Sequence, residues 1–202
     1  MKNFNLILSG IGGQGVLTLA AVIGEAVLLS GYDVKVAELH GLAQRFGPLS
    51  THIRFGKDIH SPLVTEAGAD LLLGLERLEV LHTLKYVGKD TAILMGTREA
   101  VPTILYRKNI PYPPVGRVVA QAKRFSRHIY TADAAERAKT IGAPEVTANI
   151  YLAGMAVSMG LLPLKESKFE DAMRALMPKK FLEMNLEVFR LGIKDGRNMK
   201  KR

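Results

Sequence analysis

The 202-residue sequence predicts an α/β fold. It takes the form of an open, mostly parallel sheet flanked by helices, Rossmann-like and three-layered, with extra C-terminal helices. Three observations predict it. Apolar runs of strand length alternate with helical patterns through the first two thirds of the chain, the order that builds a parallel sheet. A glycine-dense turn joins the first such run to the first helix. Beyond Val146 only helical patterns remain. Residues 1–202 read as a single α/β domain, with 194–202 as a basic, frayed tail.

Phe4 to Leu8 is a short apolar run and reads as a buried strand. Val16 to Ser30 reads as a helix that is apolar on nearly every side, with Thr18 and Glu25 as its polar positions. Such a helix is covered all round, either by the chain's own C-terminal helices or by a partner protein. Gly31-Tyr32-Asp33 stops it, and Val34 to Leu39 is a second strand. His40 to Ser50 has no helical period and contains Gly41, Gly47 and Pro48, so it reads as a long loop. Thr51 to Phe55 alternates like a strand. Asp70 to Leu75 and Thr91 to Met95 are apolar strands on either side of a helix from Glu76 to Val87. Four prolines between Val101 and Pro114 mark a surface excursion. A helix over Arg117 to Phe125, a strand over His128 to Thr131 and a helix over Asp133 to Ile141 follow. Helices over Val146 to Met159, Lys168 to Met177 and Lys179 to Ile193 complete the chain, punctuated by Gly160, Pro163 and Pro178.

Composition removes whole classes of function. No cysteine is present, which excludes disulfides, a thiol nucleophile and a cysteine-held iron–sulfur cluster on this chain. That usage fits a cytoplasmic protein. The two long uncharged stretches, Asn3 to Gly24 and Val146 to Leu164, carry glycines and amides that suit burial better than a membrane. The net charge of +9 gathers partly in the last segment, and no nucleic-acid-binding signature accompanies it. The histidines have no metal-ligand spacing, no G-x-S-x-G elbow occurs, and Val16 and Leu17 stand where a phosphate-loop lysine and hydroxyl belong.

Two patches remain as site candidates. In the first, Gly10, Gly12 and Gly15 fit the spacing G-x-G-x-x-G between a strand and a helix. Gly10 suits a tight turn, Gly12 a close backbone approach and Gly15 close helix packing. With Gly13 and Gln14 they place the helix amides where an anion binds. The second patch runs from Glu38 to Arg54. Glu38 follows Gly15 by 23 residues, near where a dinucleotide fold puts its ribose-binding acid. The loop after it breaks the dehydrogenase pattern, which continues into a helix. Arg45 and Arg54 are candidates to clamp phosphate or carboxylate, and His40 and His52 to hydrogen-bond a ligand. The plainer reading pairs the arginines with Glu38 or Asp58. With no nucleophile, metal or redox centre visible, the chain reads as one part of a larger enzyme, or else as a free-standing nucleotide-binding protein.

The run Gly10-Ile11-Gly12-Gly13-Gln14-Gly15-Val16 resembles the G-x-G-G-Q-G segment of the gamma domain of 2-oxoacid:ferredoxin oxidoreductases. Glu38 to Arg54, with Gln44-Arg45, His52 and Arg54, resembles the arylpyruvate branch, the beta subunits of indolepyruvate ferredoxin oxidoreductases. The stretch from Pro178 to Asn185 is similar to the C-terminal region of that branch. Phe46 stands where the family usually has a glycine. The resemblance implies a non-redox subunit, inactive alone. A large partner subunit would hold thiamine diphosphate and the iron–sulfur clusters, with ferredoxin as acceptor and coenzyme A as co-substrate. Cofactor contacts are then expected from Gly10, Gly12, Gly13, Gln14, Gly15, Glu38, Arg45, His52 and Arg54. No metal ligand and no catalytic residue is assigned on this chain, and no cofactor is expected to be bound by it alone.

Overall fold

The structure, a computed structural model, describes residues 2–40, 47–99 and 111–200. Its strands are β1 (Phe4–Ile11), β2 (Asp33–His40), β3 (Pro48–Gly56), β4 (Ala69–Gly74), β5 (Val87–Gly96) and β6 (His128–Ala132). They form one sheet in the order β2-β3-β1-β4-β5-β6. All share one direction except β3, which is antiparallel to both its neighbours. The helices are α1 (Val16–Leu28), α2 (Arg77–Thr83), α3 (Val115–Ala122), α4 (Ala134–Lys139), α5 (Ala148–Ser158), α6 (Glu166–Leu176) and α7 (Lys179–Lys200).

Period-two alternation splits the sheet residues between two cores. Leu6, Leu8, Ile53, Phe55, Leu71, Leu73 and Leu94 face α1 and the C-terminal helices. Ile7, Leu72, Ile93 and Met95 face α2 and α3. The mostly parallel three-layer fold predicted from sequence is therefore the fold observed. One face of α1 is covered by this chain, with Phe169 and Met173 of α6 in the same core as Ile23 and Val27, while Leu17 and Leu28 are exposed, so the helix is not covered all round as its composition predicts.

Three elements differ from the sequence reading. The loop expected over His40 to Ser50 gives way to strand at both ends, because β2 extends to His40 and β3 begins at Pro48, in a ladder from Asp33↔Gly56 to His40↔Leu49; residues 41–46 between them lie outside the described residues. The helix expected to Val87 ends at Thr83 and tightens into a 3₁₀ turn over Leu84–Tyr86, because Val87 already pairs with Ala69 in the sheet. The frayed basic tail is instead the end of α7, helical to Lys200. It is held because Gly192 and Gly196 let α7 pack backbone to backbone on Tyr151 and Met155 of α5. Asp195 also accepts hydrogen bonds from Tyr151 Oη and Arg137 Nε, each at 2.7 Å. Burial disfavours that carboxylate, but Arg137 and Tyr151 outweigh it and hold Asp195 below the usual carboxylate range.

Candidate functional site: a cleft at the carboxyl edge of the sheet

The glycine turn leaves the carboxyl end of β1 and enters α1. Gln14 organises it: its Oε1 accepts the Ile11 N–H at 3.0 Å while its own N–H donates to the Ile11 carbonyl at 3.2 Å. Gly13 (φ 94°) and Gly15 (φ 72°) both have left-handed backbones that favour glycine. A Cβ at Gly10 would meet Gln14 Oε1 at 2.8 Å and Val16 Cγ2 at 2.9 Å, so only glycine lets the turn close. No side chain among the described residues caps α1. The Gly12 amide donates to the Gly47 carbonyl at 3.1 Å, which ties the turn to the start of β3. Among the described residues, the amides of Gly13 and Gly15 have no partner, and they remain available to an anion.

The helix after β1 covers one face of the sheet, and the helix after β4 covers the other. The gap between β1 and β4 is therefore a topological switch point, where ligands of open α/β sheets bind. A cleft of 260 Å³ opens there. Gly13 and Gln14 form one wall, Gly96 at the end of β5 with Thr97 and Arg98 a second, and Glu145, Val146 and Asn149 a third. Asn149, buried at the start of α5, donates from Nδ2 to the Gly15 carbonyl at 3.0 Å and so pins the turn from above. Arg98 forms an ion pair with Glu145, both side chains being partly exposed. An anion entering the cleft competes with Glu145 for the Arg98 guanidinium.

Arg77, buried in the first turn of α2, holds the second wall. It donates to the Thr97 carbonyl at 2.5 Å, donates to Glu99 Oε1 at 2.6 Å, and stacks 4.6 Å from the centre of the Tyr112 ring. Glu76, one residue earlier, caps α2 by accepting the Glu79 N–H at 2.9 Å. Its side chain is fully buried, and this burial pushes its carboxyl pKa upward against the backbone hydrogen bonds.

The sequence candidates divide sharply. Gly10, Gly12, Gly13, Gln14 and Gly15 form the turn beside the cleft. Glu38 is exposed on edge strand β2 opposite Thr51, with β3 between it and β1. At about 4.8 Å per strand it stands roughly 10 Å to the side of β1, one strand further than the acid of a dinucleotide fold. Arg54 pairs in register with Asn5, at the amino end of β1 and five residues before Gly10. It donates to Asn5 Oδ1 at 2.9 Å and to the Ser61 carbonyl at 2.9 Å, so it braces the far end of the sheet. His52 is buried on the α2 side, edge-on to Tyr86 at 4.6 Å. Its Nδ1 accepts the Val64 N–H at 3.0 Å, which assigns the proton of the neutral ring to Nε2. Burial, with Lys85 nearby, lowers its pKa. Glu38, His52 and Arg54 are thus not brought to the glycine turn. Arg45 and Phe46 lie outside the described residues. Sequence reasoning missed Thr97, Arg98, Glu145 and Asn149. The one signal for them was Asn149, a lone amide in an apolar helix.

Asp195-Gly196 with Asn198, the nearest the sequence comes to a thiamine-diphosphate-binding signature, does not fit that use. The Asp195 carboxylate is consumed by Tyr151 and Arg137 inside the helical bundle. No helix among the described residues is long and apolar enough to cross a membrane.

Comparison with known proteins places this chain in a family. A protein from Thermococcus kodakarensis named indolepyruvate oxidoreductase subunit IorB is 32% identical over 98% of each chain. The gamma subunit of a keto/oxoacid ferredoxin oxidoreductase from Geobacter sulfurreducens has the same fold, with TM-score 0.70, 18% identity and coverage of 96% of this chain and 98% of that one. A 2-oxoglutarate:ferredoxin oxidoreductase from Magnetococcus marinus, solved with 2-oxoglutarate, coenzyme A and succinyl-CoA, contains the fold in 31% of its chain, covering 100% of this chain at 13% identity and TM-score 0.69. The family model of pyruvate ferredoxin/flavodoxin oxidoreductases matches residues 5–194, and the chain belongs to that family.

Proposed function

We propose that this chain is the small, non-redox subunit of a cytoplasmic, heteromeric 2-oxoacid:ferredoxin oxidoreductase. The complex oxidatively decarboxylates arylpyruvates, with indolepyruvate the preferred acid, and passes the acyl group to coenzyme A and electrons to ferredoxin. The observation that carries the reading is the full-length likeness to proteins named indolepyruvate oxidoreductase subunit IorB, at 32% identity over 98% of both chains.

Without cysteine this chain offers no thiolate to a cluster, so the iron–sulfur centres belong to the large partner. Thiamine diphosphate, also on the partner, supplies the electron sink for loss of CO2. This chain binds and orients. The amides of Gly13 and Gly15 and the Arg98 guanidinium receive the anionic part of coenzyme A in the cleft. Gln14 and Asn149 keep those amides aimed, and Arg77 keeps Thr97 and Arg98 on the opposite wall.

The test mixes this chain with the thiamine- and cluster-bearing subunit and follows dye reduction by indolepyruvate, phenylpyruvate, pyruvate and 2-oxoglutarate. Activity should require both chains and coenzyme A, with the aryl acids ahead. Arg98→Ala should raise the KM for coenzyme A about tenfold or more at nearly constant kcat, the size of one lost charge-assisted hydrogen bond. An unchanged KM removes Arg98 from the role. Absence of any complex between two well-folded chains overturns the whole reading in favour of a free-standing nucleotide-binding protein.

A further inference from the structure

A second depression, an apolar groove of 370 Å³, lies beside the cleft. Its lining includes Pro144, Ile150, Met177, Phe181 and Met184. It shares two residues, Val146 and Asn149, with the cleft, so the two depressions meet along a common wall. Phe181 is 52% exposed and Val146 49% exposed. Most of a soluble chain's large apolar side chains are covered, and a cluster of exposed ones around a concavity marks a surface that meets another protein. Methionines at 177 and 184 give that surface adaptable packing.

The electrostatics of the rim say what kind of partner fits. α7 begins at the groove with Lys179 and Lys180, both exposed, and has no acidic residue in its first turn. Two cations at the positive end of a 22-residue helix are unfavourable for the chain alone. Lys180 Nζ sits 4.6 Å from the centre of the Phe181 ring, so the cation and the aromatic form one feature. Acidic side chains from outside would relieve the helix end and pair with both lysines.

We propose that this groove is where the partner subunit docks, through an apolar segment flanked by acidic residues. The apolar segment packs on Phe181 and Val146, and its carboxylates meet Lys179, Lys180 and the start of α7. Because Val146 and Asn149 also wall the cleft, docking here roofs the cleft and excludes water from it. The inference rests on the subunit role proposed above and names the surface that performs it.

The experiment measures the affinity of the two subunits by sedimentation, with circular-dichroism melts as the check on folding. Phe181→Asp should weaken the complex at least about 30-fold, the effect of losing an interface anchor, while leaving the melt of this chain unchanged. The double change Lys179→Glu with Lys180→Glu, which leaves apolar packing untouched, should weaken it about tenfold at low salt and less at high salt. Leu28→Asp, at the opposite end of α1 and equally exposed, should change nothing. Wild-type affinity in Phe181→Asp and in the charge reversal overturns the inference while leaving the subunit role standing. Loss of self-association by Phe181→Asp, with the heteromeric complex intact, would assign the groove to a second copy and also overturn it. If the unmodified chain does not associate with the thiamine-bearing subunit, the subunit role itself fails.

Discussion

Glycine appears in two dense settings in this molecule, and it does opposite things in them. At the turn after β1, Gly13 and Gly15 adopt positive φ, and among the described residues their amides have no partner beside an open cleft. At the seam between α5 and α7, Gly154, Gly192 and Gly196 have ordinary helical backbones. There a Cβ would strike the backbone of the facing helix: the Phe189 carbonyl, the Tyr151 carbonyl and Met155. The first setting uses glycine to create empty polar space and the second to abolish space. One is a place for a ligand and the other a weld.

Substitutions should separate the two uses. The largest effect belongs to the seam. Gly192→Val cannot be accommodated without separating α5 from α7, and should destabilise the chain by about 3 kcal/mol or more in denaturant melts. Gly15→Ala comes next: its φ of 72° strains an L side chain, and the new methyl displaces the Asn149 amide. It should cost about 2 kcal/mol and also raise the KM for coenzyme A, since the pinned turn is released. Gly13→Ala shares the positive φ but meets nothing within 4 Å among the described residues, so about 1 kcal/mol and a smaller kinetic effect are expected. If Gly13→Ala and Gly15→Ala prove equal, the Asn149 pin has no energetic weight.

The smallest effect tests the carboxyl edge without touching a glycine. The Glu76 pKa is raised by folding, so the native state holds its proton more tightly than the unfolded chain. Stability from this group is therefore full below the unfolded carboxyl pKa and falls as pH rises through the raised native value. Glu76→Gln removes that dependence. Its melting temperature should match the parent in mild acid and exceed it by a degree or two at neutral pH, a small fraction of what a buried charge can cost. A variant less stable than the parent at neutral pH would show that the ionised carboxylate is needed to cap α2.

The same contrast explains what the sequence could reveal. The glycine turn was legible because its constraint is local: strand, fixed spacing and helix lie within thirteen residues from Phe4 to Val16. The seam was not, because Gly154 and Gly192 are 38 residues apart and nothing in either helix announces the other. Strand β3 was visible as an alternating run, but its insertion between β1 and β2 was not. That insertion moves Glu38 a strand away and fixes which side His52 and Arg54 face. Arg54 looked like a ligand clamp because charge reads identically at both ends of a strand. Register with Asn5 alone decides that it sits at the wrong end. Arg98 was passed over because it follows an apolar strand with no motif, and only the fold brings it opposite the turn. The tail appeared frayed because its charge was counted without the glycines that dock it.

The two faces of the sheet are completed at very different times. The α2 and α3 face draws its buried residues from Ile7 to Ala122. The α1 face needs Ile150 to Ile193, including Phe169, Met173 and Phe189. During synthesis, therefore, one half of the core can close while the chain is still growing. The other keeps Ile23 and Val27 uncovered until Phe169 and Met173 of α6 have left the ribosome. A translation arrest before α6 would leave a nascent chain with one finished face and one adhesive one, a species dependent on chaperones until synthesis resumes.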